Sequence, residues 1–192
     1  PGCGKRSIAF WLHLQSYQNQ REFIELNLNN YYGDDYEVLV WSSLKEIFKK
    51  YPTGVSDIEQ PLYSTLYLKG LEGKDVLFII SVLEWLHEKR QSLMDEYGNT
   101  IRVIVSLENK ELFENIAKDF QKKYRLISLA PLRAHREDLL DIINYYINDF
   151  NKIYGKDFNT VDLDLLNYFQ QYNWPGNIDE LRYNLEPVFL TY

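Results

Sequence analysis

Cysteine, methionine and histidine are scarce in this sequence of 192 residues, which holds one cysteine, one methionine and three histidines. A single thiol, Cys3, closes no internal disulfide, and His13, His87 and His135 are too scattered for metal-ligand spacing. A disulfide scaffold and a zinc site are therefore excluded, and a reducing cytoplasm is the expected setting. Long apolar runs are missing too. None approaches the roughly 20 residues that a membrane span requires, and the opening Pro1-Gly2-Cys3-Gly4-Lys5 lacks the basic and then apolar character of a signal peptide. The expectation is a soluble segment with no membrane partner. Positive charge is in deficit, with 21 Lys and Arg against 28 Asp and Glu and a net charge of -7. Backbone affinity for nucleic acid comes from neutralising phosphates, so any DNA contact is expected in a domain outside this segment. The 16 tyrosines are accordingly read as core edge and surface, not as a base-stacking platform.

What is present is the balance of a globular unit, 45% hydrophobic and 26% charged, without internal repeats or low-complexity segments. Three short runs read as strands: Glu22 to Leu28, with Ile24, Leu26 and Leu28 at period two, Ser64 to Leu68, and the β-branched Ile101 to Val105. Between them Ser7 to Tyr17 and Val76 to Arg90 show helical spacing, while Asn29 to Asp35 reads as a loop. Alternating strands and helices predict an α/β domain, a parallel sheet covered by helices, over residues 1–130. Beyond Pro131 the signals are helical only, predicting a small helical domain over 131–192. Glu137 to Tyr154 forms its first helix, stopped by Gly155; Thr160 caps a second over Val161 to Tyr172; Trp174-Pro175-Gly176-Asn177 is a turn before a third from about Ile178.

The chemistry-bearing motif is Gly2-Cys3-Gly4-Lys5 immediately before a helix, the second half of a phosphate-binding loop. Glycines there let backbone amides approach an anion while lysine reaches the terminal phosphates. Arg6 stands where the general motif places the magnesium-binding Ser or Thr, and the first glycine of that motif would precede Pro1. The candidate nucleotide-binding residues are therefore Gly2, Cys3, Gly4, Lys5 and Arg6.

The surrounding sequence resembles the AAA+ central domain of bacterial enhancer-binding proteins, the activators of sigma-54 RNA polymerase, over nearly its whole length. Gly4-Lys5-Arg6 with Ala9, Leu12, His13, Ser16, Phe23, Ile24 and Asn27 follows the pattern GKE..A..IH..S......FI..N, in which Glu commonly replaces the Ser or Thr. Leu129 to Arg133 and Arg136 to Leu139 resemble LPPLR..REDI, and Trp174 to Ile178 with Glu180-Leu181 resembles WPGN(V/I)REL. The resemblance implies a P-loop AAA+ domain followed by a helical lid, ATP or ADP as ligand, a homo-oligomer, RNA polymerase as a partner, and DNA contacted through another domain.

Several of the family's functional positions are changed. Its Walker B strand ends in Asp-Glu, whereas the matching Ser64 to Leu71 carries Lys69 and Gly70; an alternative frame over Val76 to Ile80 ends in Ser81-Val82 and lacks the acids as well. Magnesium thus loses its acidic support. The sensor position falls on Glu108, or on Asn109 with an insertion, and the two arginine-finger positions hold Asn115 and Gln121, with Arg125 reaching the second only through a gap. Lys118, Lys122 and Lys123 nearby read as a solvated face. Asp179 replaces the lid arginine that senses phosphate, and nothing from Val38 to Ser64 resembles the GAFTGA loop that contacts sigma-54. The expectation is a transcription-regulator domain that binds nucleotide or oligomerises without efficient hydrolysis, with no catalytic residue and no metal ligand. Two other readings stay open: an active ATPase recruiting Glu72 or Glu108, and a nucleotide-free interaction scaffold. Trp174 and Pro175 are expected to fix the lid against the core.

Overall fold

The structure, a computed structural model, describes residues 2–16, 22–49, 65–97, 101–109, 112–114, 116, 120, 122–159 and 161–191. The chain forms two compact units, Arg6–Leu126 and a second that joins Pro1–Lys5 to Ile127–Tyr192.

The first unit is built on a parallel sheet of β1 (Phe23–Asn27), β2 (Thr65–Lys69) and β3 (Arg102–Val105), in that spatial order. In register, Ile24 and Leu26 lie beside Leu66 and Leu68, and Leu66 beside Val103. A central parallel strand is covered on both faces, which explains why Thr65, Leu66, Tyr67 and Leu68 are all buried. Helix α1 (Lys5–Leu14) buries Ala9 and His13, one turn apart. The His13 ring and the Thr65 hydroxyl share a buried hydrogen bond of 3.0 Å, and Arg102 donates to the Leu12 carbonyl at 2.8 Å, joining the end of α1 to β3.

A helix not anticipated from the sequence, α2 (Tyr36–Lys49), buries Val40, Leu44 and Phe48 at i, i+4 and i+8. It occupies the first part of the stretch searched for a sigma-54 loop; residues 50–64 lie outside the described residues. Helix α3 (Val76–Tyr97) starts where Asp75 accepts the Phe78 N–H at 3.0 Å, and it runs seven residues beyond the expected Arg90. Phe78, Ile79, Val82, Leu83 and Leu86 supply its core face. Because Val76 to Ile80 is the start of this helix, the alternative Walker B frame falls and the strand frame over Thr65–Lys69 stands.

The second unit contains α4 (Leu139–Tyr154), α5 (Leu163–Gln171) and α6 (Asn177–Thr191). Leu139, Ile143, Ile147 and Phe150 of α4 share one core with Leu181, Leu185 and Phe189 of α6. Gly155 ends α4 in the left-handed conformation, φ 64°, as its position predicts. Two boundaries and one burial differ from expectation. Arg136–Asp138 is a separate 3-10 turn, so α4 begins at Leu139. Asp162 caps α5, accepting the Asp164 N–H at 2.7 Å, whereas Thr160 lies outside the described residues; a carboxylate two residues before the helical amide is the better acceptor. Leu163, read as an apolar helix position, is exposed because it opens the first turn of α5.

Candidate functional site

Gly2 and Gly4 have φ +72° and +78°, conformations that a side chain disfavours, and α1 begins at the next residue, Lys5. Alternating left-handed residues ahead of a helix let backbone amides present themselves to an anion at the positive end of the helix dipole. Gly2 is also fixed by the Trp174–Asn177 turn. Its carbonyl accepts the Ile178 N–H at 3.0 Å, and a Cβ on Gly2 would collide with the Gly176 carbonyl oxygen. The start of the loop and the beginning of α6 are therefore one built piece.

That turn is held from several sides. Trp174 and Asn177 both have positive φ, 48° and 56°. The Trp174 indole N–H donates to the Phe169 carbonyl at 2.8 Å, and the ring packs inside the helical unit against Phe169 and Tyr172. The buried Asn177 side chain accepts the Leu132 N–H at 2.8 Å. Glu180 accepts from the Gly176 N–H at 2.7 Å and from the Tyr172 hydroxyl at 3.0 Å. Asp179 sits in the first turn of α6, with its Cβ 3.4 Å from the position of a Cβ on Gly2. A carboxylate there suits the amino end of its own helix but disfavours a polyphosphate beside the loop.

The arrangement at the end of β2 was legible in the sequence only as a loss of acids. Lys69 forms an ion pair with Glu25 of β1, and Arg6, the residue after Lys5 in α1, donates its Nε to the other Glu25 oxygen at 2.6 Å. Burial pushes the Glu25 carboxyl up, but its hydrogen bonds to Lys69 and Arg6 and their charges outweigh this and hold it below its ordinary value. Glu25 was missed by sequence reasoning. The signal available was register: Glu25 stands beside Tyr67 and Asn27 beside Lys69, so Glu25 and Lys69 are diagonal neighbours on one face.

The next residue, Gly70, has φ +76°, and a Cβ on it would lie 2.7 Å from the Asn27 side-chain oxygen and 2.8 Å from the Asn29 amide nitrogen. No side chain fits there without moving backbone. Glu72 is also engaged, accepting the Glu108 N–H and so joining the turn after β2 to the segment after β3. Asn109 uses its carbonyl to accept the Phe113 N–H at 3.2 Å. Lys122, Lys123 and Arg125 are exposed, as a solvated face requires, while Asn115, Lys118 and Gln121 lie outside the described residues. Among the described residues no group of three His, Cys, Asp or Glu side chains is placed to hold a metal ion. The residues present fit a phosphate at Gly2–Lys5, but they do not fit magnesium at the end of β2. Among the described residues no helix is long and apolar enough to cross a membrane.

Residues 133–192 match a family profile described as the AAA+ ATPase lid domain. The transcriptional activator RocR of Bacillus subtilis is 26% identical over 96% of this chain and 42% of its own length. The nitrogen fixation protein VnfA of Azotobacter vinelandii is 26% identical over 98% of this chain and 38% of its own length. This chain thus spans about two fifths of these relatives. The crystal structure of NtrX from Brucella abortus in complex with ATP shares the fold, with TM-score 0.68 and 18% identity, covering 99% of this chain and 43% of that one.

Proposed function

We propose that this chain is a regulator domain of the AAA+ type found in sigma-54-dependent transcriptional activators, and that it binds ATP or ADP at Gly2–Lys5 without hydrolysing it efficiently. The observation that carries this reading is the Lys69-Gly70 step. Hydrolysis needs one carboxylate for the magnesium shell and another to polarise the attacking water. Lys69 here is an ammonium paired with Glu25, and Gly70 stands where its neighbours leave no room for a side chain. Binding is supported by Gly2 and Gly4 in left-handed conformations directly before α1, and by the crystal structures of NtrX from Brucella abortus in complex with ATP and with ADP, which share this fold.

Lys5 would pair with the terminal phosphates, and the amides around Gly2, Cys3 and Gly4 would orient them, with Arg6 contributing from the same turn of α1. When bound, the nucleotide would supply a switchable negative charge at the start of α1. The domain would then act as an oligomerisation or signal-relay module between sensory and DNA-binding domains, with RNA polymerase as its downstream partner in a cytoplasmic setting. The interaction scaffold with a vestigial loop is the second reading, and Asp179 beside Gly2 favours it, since a carboxylate opposes phosphate there. Thermal unfolding with and without ADP separates the two. A ligand of the native state raises stability by mass action, so a rise abolished by Lys5→Ala supports nucleotide binding, and no rise leaves the scaffold.

A further inference from the structure

The positions that would hold magnesium are not merely empty of acids; they carry an assembled positive cluster. Arg6, Glu25 and Lys69 bring two cations onto one carboxylate, with a net charge of +1, and both Glu25 oxygens are occupied. A divalent cation approaching the end of β2 would meet two positive groups, and the Glu25 carboxylate between them is already bonded. Hard cations such as magnesium need free oxygen ligands in near-octahedral array. Glu25 offers neither, and Gly70 offers no side chain at all.

We infer that Arg6, Glu25 and Lys69 close the end of β2 to divalent cations, the paired Lys69 ammonium and Arg6 guanidinium occupying the one carboxylate of the cluster. Its first test, with ADP, rests on nucleotide binding at Gly2–Lys5, and its second, with manganese alone, does not. Electrostatics give the sign. Magnesium neutralises part of the polyphosphate charge, so without acidic ligands for the metal it adds no affinity for the nucleotide, whereas in a site with acidic ligands it strengthens binding.

The experiment uses the whole chain. ADP affinity is measured by calorimetry in excess EDTA and in excess magnesium chloride, and the expected result is binding in EDTA equal to or tighter than binding in magnesium. Loss of ADP binding in EDTA would overturn the inference while leaving the nucleotide-binding reading intact. No ADP binding in either buffer would overturn that reading, and the inference is then decided without nucleotide. Manganese binding is followed by loss of the free-ion electron paramagnetic resonance signal in the wild type and in Lys69→Asp, which places a second carboxylate beside Glu25. The variant is expected to bind manganese at least about tenfold more tightly than the wild type, since two adjacent carboxylates form the oxygen site that the wild type lacks. Equal manganese binding by the two proteins would overturn the inference. Lys69→Met removes the ammonium without adding a ligand, so it is expected to bind manganese more tightly than the wild type and less tightly than Lys69→Asp, and a Lys69→Met protein that binds no better than the wild type would overturn the role given to the ammonium.

Discussion

Gly70→Glu puts back the second acidic residue of the Walker B pair, and on the present account it damages the fold instead of restoring catalysis. A side chain at φ +76° carries the left-handed penalty of about 1–2 kcal/mol. Its Cβ would also fall 2.8 Å from the Asn29 amide nitrogen, which is backbone and cannot rotate away. Relieving that overlap means moving the Leu28–Asn30 turn after β1, at a cost of about 1–3 kcal/mol for overpacking. The 3.1 Å bond from the Asn29 N–H to the Asn27 side chain is strained with it, and losing that bond costs about 1 kcal/mol. Taken together, destabilisation of about 3–6 kcal/mol lowers the melting temperature of a chain this size by roughly 6–24 °C. Circular dichroism melts of the wild type, Gly70→Ala and Gly70→Glu test this. The alanine variant shares the strain without the charge, so both variants should melt well below the wild type. A Gly70→Glu protein that melts with the wild type, or that gains magnesium-dependent ATP turnover, would refute the reasoning.

Asn177→Ala should destabilise the helical unit by about 2–3 kcal/mol in denaturant unfolding, because it orphans the buried Leu132 N–H and leaves a Cβ residue at φ 56° without a compensating bond. Trp174→Phe should cost about 1–2 kcal/mol by the same measurement, since the Phe169 carbonyl loses its indole donor while the ring packing is largely kept. Glu25 has a carboxyl held below its ordinary value, so its contribution is present above the usual carboxylate range and is lost as pH falls through the depressed value. Glu25→Gln should therefore lower stability by up to about 1 kcal/mol at neutral pH, with the difference from the wild type closing in acid, in paired unfolding curves across pH.

The three strands were legible because each carries a compact apolar run, and the central one is buried on both faces. Helix α2 was not. Its buried Val40, Leu44 and Phe48 are interleaved with exposed Val38 and Leu39, so the apolar stripe is blurred in the sequence although it is clean in the fold. The polar end of α3, from Gln91 to Tyr97, has little apolar periodicity to mark it, and its extent is set by helix continuation instead. The glycine loop and the Trp174–Asn177 turn were both readable as motifs, but the hydrogen bond from Ile178 to Gly2 that joins them spans the whole chain and leaves no local trace. The same holds for the charge cluster. Lys69 alone reads as a missing aspartate; only the register of β1 with β2 gives it Glu25 as a partner. Gly70 reads as a missing glutamate until the turn beneath it is seen to fill the space where a side chain would go.

The central claim is binding without efficient hydrolysis, and it is tested most directly by measuring ADP binding and magnesium-ATP turnover on the wild type and on Lys5→Ala. The account predicts ADP binding by the wild type that Lys5→Ala abolishes, with phosphate release at the background level in both. Sustained phosphate release by the wild type that disappears in Lys5→Ala would contradict it.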